Sequence, residues 1–511
     1  MHADSTVLAY LEASANRTPS AIAVVDAQSS LTYEDLMMRC MRIGTALARM
    51  GAQGRSVVIA MEKGCDTVCA MLGSLYAGAS YVPIDPEIPT ERLEHILHTL
   101  NSPLVVVGHK GNERIGLFER LGCTWLLAAD LATSDVDADL LDDVRRHALE
   151  TDPAYILFTS GSTGIPKGVA ISHHAIRSFI EVFVPTLGIC ASDRLANQAP
   201  FDFDVSTKDI YSTLATGATL VIVPRELFMQ PAALIEYLRQ NGATVLIWAV
   251  AALCIVSTYH ALNSDALRRV RLVAFSGEVM PLRHLRQWQS TLPEASFFNL
   301  YGPTEITCNC LYHKLEPTRD YKDGIPLGKA FDHCDVRLID QDGREVTDPN
   351  VEGEIVVRGP SLSLGYVGMP EQTARAFVQN PLNGTIPTLV YRTGDLGLYN
   401  EDGELFFRGR RDNQIKYMGH RVELEEIDLV VERIEGVQRC RCFFDEKRKR
   451  LYAFYEGTTS VDDIRSVVVG TMPPHMRPSN IIQVDSMPLN KHGKVDRREL
   501  FASNRRKPTN R

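Results

Sequence analysis

Thr159-Ser160-Gly161-Ser162-Thr163-Gly164-Ile165-Pro166-Lys167-Gly168 follows an apolar run, Ala154 to Phe158, and gathers three glycines, four hydroxyl side chains and a lysine into ten residues. Such a run reads as a buried strand, so the loop falls at a strand's carboxyl end, where open α/β sheets bind ligands. Glycines let backbone N–H groups approach phosphate oxygens, the hydroxyls add donors, and Lys167 adds positive charge. The loop therefore reads as a polyphosphate cradle. Its spacing is not the GxxxxGK[ST] of P-loop nucleotidases, and a Ser/Gly-rich surface turn is the alternative reading of the loop alone.

Outward from this loop, between about Leu31 and Gln379, strand-like runs alternate with amphipathic helical stretches. Ser56 to Met61 followed by Asp66 to Tyr76 is one such pair; Leu104 to Val107, Ala218 to Val223, Thr244 to Trp248 and Arg271 to Phe275 are further strands. The pattern predicts an α/β fold with covered, mostly parallel sheets. From about Gly353 to Phe407 the runs shorten between Gly, Asp and Asn turns, which predicts a small β-rich module. A helix at Glu423 to Ile434 opens a second, α+β region. The expected organisation is a large N-terminal domain, 1–411, a hinge at Asp412, a small mobile C-terminal domain, 412–501, and a basic disordered tail, 502–511.

With 45% hydrophobic and 23% charged residues in 511, the chain has the composition of a soluble globular protein. A formal charge of -9 argues against a general nucleic-acid binder. The eleven cysteines lack CxxC spacing and read as reduced thiols of a cytoplasmic protein. Neither a signal peptide nor a membrane span is evident.

Seven segments in order resemble the adenylate-forming superfamily, and more narrowly amino-acid adenylation enzymes such as nonribosomal peptide synthetase adenylation domains and D-alanine:carrier-protein ligases. They are Leu31 to Leu36, Leu75 to Asp85, the phosphate loop, Asn299-Leu300-Tyr301-Gly302-Pro303-Thr304-Glu305, Tyr391 to Asp395, Gly409 to Glu423, and His492 to Asp496. The resemblance implies ATP and Mg²⁺ as cofactors and an aminoacyl-AMP intermediate. It makes Tyr301 a flat face for adenine, Thr304 a phosphate contact and Glu305 the magnesium carboxylate. Asp395 and Arg410 become the ribose contacts, Lys494 the catalytic cation, and Gly419 the residue beside a thiol tunnel. Carboxylate activation needs in-line attack on the α-phosphorus, so positioning and charge neutralisation carry the catalysis.

By the same resemblance Asp204, in Phe203 to Tyr211, holds the substrate's α-ammonium, with Asp202 the alternative register. The remaining pocket positions are then Val205, Lys208, Ile247, Val273, Phe275, Leu300, Cys308 and Asn309. Mostly bulky, they imply a small cavity and a small amino acid, with Phe275 setting its size. Lys208 either snorkels to the pocket mouth or pairs with an acidic substrate side chain. Only 17 residues follow Lys494, too few for a fused carrier of roughly 80 residues. The expected partner is a separate phosphopantetheinylated carrier protein, with no nucleic acid, no membrane, and a monomer as the family default. Competing readings are an acyl- or aryl-CoA synthetase of the same superfamily and a nucleotide-binding protein without turnover.

Overall fold

The computed structural model describes residues 5–161, 165–411, 414–446, 448–488 and 495–504. The chain divides into two compact units. The first comprises Met1–Pro86, Leu100–Leu157 and Gly168–Arg411; the second takes in Asp412–Arg511 together with Glu87–Thr99 and Phe158–Lys167. The second unit thus recruits two segments that the sequence places far upstream. Helix Arg497–Asn504 also runs past residue 502, where the tail was expected to begin.

In the first unit a nine-stranded sheet runs Lys329–Ala330, Leu311–Lys314, Ser296–Tyr301, Leu272–Ser276, Val245–Ala249, Arg194–Asn197, Thr219–Ile222, Ile22–Val25 and Ser30–Thr32. Its interior pairs are parallel and its outer pairs antiparallel. A seven-stranded sheet includes Ser56–Ala60, Ser80–Pro83, Leu104–Val107 and Pro153–Thr159. The runs Val57-Val58-Ile59 and Val105-Val106-Val107 are wholly buried, as β-branched strands covered on both faces should be. The β-rich module is a separate five-stranded antiparallel sheet built on Glu352–Arg358 and Leu389–Tyr399.

Strand alternation decides which side chains meet the buried helix Val205–Thr216. Ile247, Ala274, Phe298 and Leu300 join the core that also holds Ile210, Tyr211 and Leu214 of that helix. Val273 and Phe275 point to the opposite face and pack with Trp248, Trp288 and Phe297. This corrects the expected pocket. Successive strand residues face opposite ways, so a one-residue shift exchanges one face for the other, and Ala274 and Ser276 take the places assigned to Val273 and Phe275. Phe275→Ala is therefore expected to cost about 3–5 kcal/mol of stability and to leave substrate preference unchanged, which denaturation and a substrate panel on the same variant would check.

In the second unit a three-stranded sheet, Val437–Asp445, Arg450–Gly457 and Asn480–Gln483, carries helices Leu424–Glu432, Val461–Thr471 and Arg497–Asn504. Ile427, Val431, Tyr455 and Ile464 form its core. Asp428 is buried among them; burial pushes its carboxyl up to about 6, and Arg497 holds it at 2.7 Å. Among the described residues no helix is long and apolar enough to cross a membrane.

Candidate active site

Helix Val205–Thr216 starts at Asp204 and ends at Gly217, whose φ of 82° provides a left-handed cap. Asp is a favoured N-cap residue, yet the Asp204 side chain does not cap this helix. Its Oδ2 instead accepts a hydrogen bond from Thr304 Oγ1 at 2.8 Å, and Cys308 Sγ lies 3.2 Å from its carbonyl oxygen. Asp204 is 7% exposed, whereas Asp202 is only half-buried. Val205 is buried beside it.

One helical turn on, Lys208 is 1% exposed, and its Nζ donates to Asn309 Oδ1 at 3.0 Å and Ser276 Oγ at 3.2 Å. The ammonium does not snorkel to the mouth. Asn309 reaches it from a strained turn: Thr307 and Cys308 have φ of 57° and 74°, sparsely populated for side-chain-bearing residues and costly unless the surroundings enforce them. Thr307 Oγ1 donates to Ser361 O at 2.8 Å and anchors that turn. A Cβ at Gly302 would come within 2.6 Å of Asn309 Cα, so the turn can fold back only over glycine.

Glu305 is fully buried; Oε1 accepts from Tyr366 OH at 2.8 Å and its carbonyl from Ser363 N at 2.8 Å. A carboxylate oxygen is the donor type that Mg²⁺ takes. Asn299 Nδ2 donates to Pro326 O at 2.8 Å, fixing the end of strand Ser296–Tyr301.

Asp395 and Arg410 are cross-strand partners in the β-rich module, joined as a buried ion pair. Tyr301 OH donates to the other carboxylate oxygen of Asp395. Burial, with Asp395 adjacent, pushes the Tyr301 phenol well above its ordinary range, so it remains a donor. Asp395 lies inside the eleven-residue strand Leu389–Tyr399. Thr393 Oγ1 accepts from its backbone N–H at 3.0 Å. The carboxylate is thereby held by Arg410 and Tyr301, and its backbone by Thr393.

In the second unit Ser160 Oγ donates to Arg421 O at 2.6 Å, and Gly161 N–H donates to Glu426 Oε2 at 3.1 Å. Glu426 is itself paired with Arg92 at 2.6 Å. A carboxylate thus occupies an N–H of the loop, the kind of donor that suits an anion. A Cβ at Gly161 would lie 2.2 Å from Ile165 O, and the Lys167 side chain passes over the same spot. Thr159 ends the preceding strand. Ser162, Thr163, Gly164, Asp412 and Lys494 lie outside the described residues. Gly419, with φ 83°, and Met418, with φ 54°, form the two-residue turn between strands Gln414–Tyr417 and His420–Glu423. Two consecutive positive φ values are what a type I′ hairpin requires, a reason for glycine separate from room beside a tunnel.

A buried pair lies on another face of the same helix. Asn197 Nδ2 donates to Asp209 Oδ2 at 2.8 Å, and Lys63 Nζ donates to the carbonyls of Asn197, Gln198 and Val223. Burial pushes Asp209 up to about 7 and Lys63 down to about 7. Since the Asp209 value exceeds the ordinary 3.8, its contribution is fully present below that pH and is lost as the pH rises through about 7. Lys63 runs the other way, gaining stability as the pH rises from about 7 toward 10.5. Asp209→Asn removes the first loss, so its melting temperature relative to wild type is expected to climb between pH 4 and pH 7. A difference that stays flat with pH would show that Asp209 does not titrate there.

The AMP-binding enzyme family matches residues 11–367. The chain belongs to the AMP-binding enzyme family. Zwittermicin A synthase ZmaJ of Bacillus cereus, a relative of this AMP-binding enzyme, is 29% identical over 95% of the chain and 92% of its own length. Surfactin synthase subunit 1 of Bacillus subtilis is 30% identical over 97% of the chain, which spans only 14% of that protein. The crystal structure of IdnL1 is similar at TM-score 0.82 and 31% identity, covering 95% of this chain and 99% of that one. Holo-PA1221, described as a nonribosomal peptide synthetase protein containing adenylation and carrier (PCP) domains, is similar at TM-score 0.84 and 26% identity over 98% of this chain and 85% of its own.

Residues that sequence reasoning missed are Ala274 and Ser276 on the helix-facing side of their strand, Tyr366 on Glu305, and Thr307 under the strained turn. Ser276 immediately precedes Gly277-Glu278, a landmark that would have fixed the register.

Proposed function

We propose that this enzyme activates an amino acid with ATP, forming an aminoacyl-AMP and pyrophosphate, and passes the acyl group to the phosphopantetheine thiol of a separate carrier protein. The observation that carries this reading is the buried carboxylate of Asp204 at the helix start, bonded to Thr304 rather than capping the helix. A carboxylate held at that place by a hydroxyl is an acceptor suited to an α-ammonium, the group that an amino acid brings. The substrate's own carboxylate oxygen attacks the α-phosphorus and pyrophosphate leaves. The thiol then attacks the acyl carbon and AMP leaves.

Asp395, fixed by Arg410, Tyr301 and Thr393, has the geometry to accept two ribose hydroxyls. Ser160, Gly161 and Lys167 supply donors for phosphates, and Glu305 would hold Mg²⁺, which neutralises phosphate charge when bound. Gly419 and the hinge at Asp412 belong to the second half-reaction in this reading, which needs a different domain pose from the first. The adenylation and carrier domains named for PA1221 support the carrier as acceptor.

Amino-acid-dependent exchange of labelled pyrophosphate into ATP tests the reading. Exchange with an amino acid, followed by thioester formation on a phosphopantetheinylated carrier, is expected. Exchange only with amine-free fatty or aryl acids would replace it with a CoA-synthetase reading. Silence across a full amino-acid panel would leave a protein that binds nucleotide without turnover.

A further inference from the structure

Two donors of the loop that begins at Thr159 are taken by oxygen acceptors from much later in the chain. Ser160 Oγ donates to the backbone carbonyl of Arg421, in strand His420–Glu423, at 2.6 Å. Gly161 N–H donates to Glu426 Oε2, in helix Leu424–Glu432, at 3.1 Å. Ser160, Gly161, Arg421 and Glu426 all belong to the second compact unit, as does Arg92. Arg92 Nη1 lies 2.6 Å from Glu426 Oε1, and the two side chains are 12% and 5% exposed. Each oxygen of the Glu426 carboxylate thus has its own partner, a buried guanidinium on one side and a backbone N–H of the loop on the other.

A negatively charged oxygen on a glycine N–H is the contact that a phosphate makes with a loop of this composition. Glu426 places its carboxylate where that phosphate oxygen would stand, and a single N–H does not serve both at full strength. An arriving phosphate also meets the charge of Glu426 at close range, in buried surroundings that screen it weakly. Position 161 offers only its backbone, because a Cβ there would fall 2.2 Å from Ile165 O. Arg92 supplies the counter-charge that lets a carboxylate stay buried at this place.

We infer that Glu426 is a built-in phosphate mimic, a latch that occupies the loop until the phosphates of ATP or pyrophosphate displace it, and that it thereby sets the affinity of the enzyme for both. The inference rests on the proposed role of Ser160, Gly161 and Lys167 as phosphate donors. A loop that is free of its latch for only a fraction of the time binds its ligand more weakly by that fraction. Once pyrophosphate has left, the carboxylate retakes the Gly161 N–H and opposes its return, so the latch works against reversal of the first half-reaction. Arg92 acts through Glu426 and is a positioning residue.

Magnesium pyrophosphate titrated calorimetrically into the full chain tests the latch, with three variants beside the wild type. Glu426→Gln keeps the shape and an oxygen for the loop but loses the charge. It is expected to tighten pyrophosphate roughly 10-fold and to lower the KM for ATP in pyrophosphate exchange by a similar factor. This variant leaves Arg92 without its carboxylate, and a guanidinium released beside the loop attracts phosphate by itself. Arg92→Gln combined with Glu426→Gln removes both charges and leaves none uncompensated. The double variant is expected to tighten pyrophosphate as much as the single one, thermal melts confirming that each is folded. Wild-type affinity in the double variant would overturn the latch even where the single variant binds more tightly, because the gain would then belong to Arg92. Lys167→Ala is expected to weaken pyrophosphate roughly 10-fold. Wild-type affinity in Lys167→Ala, or no measurable binding by any form, would take phosphate away from this loop and the latch with it.

Discussion

Asp204→Asn is expected to lower kcat/KM for the activated amino acid by roughly 100- to 1000-fold, while ATP binding stays near the wild-type level. The amide keeps the shape and an oxygen to accept from Thr304 Oγ1 but loses the charge that pairs with an α-ammonium. Removing one partner of a buried ion pair costs about 3–5 kcal/mol, which sets the size of the effect. Stability should not fall, because no buried charge remains to be compensated in the free enzyme. Asp395 and Arg410, the proposed ribose contacts, pair within the sheet of the β-rich module and not at the helix start that carries Asp204, so a nucleotide-binding titration separates the two effects. Exchange at the wild-type rate would remove Asp204 from substrate recognition and take the amino-acid reading with it.

Lys494→Ala is the second large effect, an expected fall in adenylate formation of roughly 100- to 1000-fold. A point cation placed where charge develops contributes mainly in the transition state, so kcat should carry the loss. Pre-steady-state measurement of aminoacyl-AMP formation, alongside ATP affinity, separates this role from a basic surface patch. A patch would change ATP affinity weakly and leave the chemical step intact. Adenylation at the wild-type rate would end the assignment.

The assignment of roles was more legible in this chain than their geometry. Composition, the strand–loop pattern around Thr159 and the ordered segments from Leu31 to Asp496 determined the α/β class and the AMP-binding family. The class was legible because apolar runs of strand length must be covered on both faces, and the family because seven segments, in order, resemble its motifs. Asp204, and not Asp202, directly precedes a ten-residue buried stretch, which is why the proposed function takes that register.

The tertiary structure decided the rest. Whether Phe275 or Ser276 faces the helix depends on a one-residue phase that burial alone leaves open, because every residue of the strand Leu272–Ser276 is buried. No periodicity could choose between them; packing against Trp248 and Trp288 did. Lys208 could have reached solvent through its long stem; Ser276 and the strained Thr307–Asn309 turn, from distant parts of the chain, instead bond its ammonium inside. Pairing of Leu389–Tyr399 with Leu405–Arg410 sets Asp395 opposite Arg410, a neighbour that the segment Tyr391 to Asp395 does not itself contain. Residue type, read along the chain, determined which chemistry was available to this protein. Long-range packing decided which charges face one another, because the energy of a buried charge depends on neighbours that sequence distance does not record.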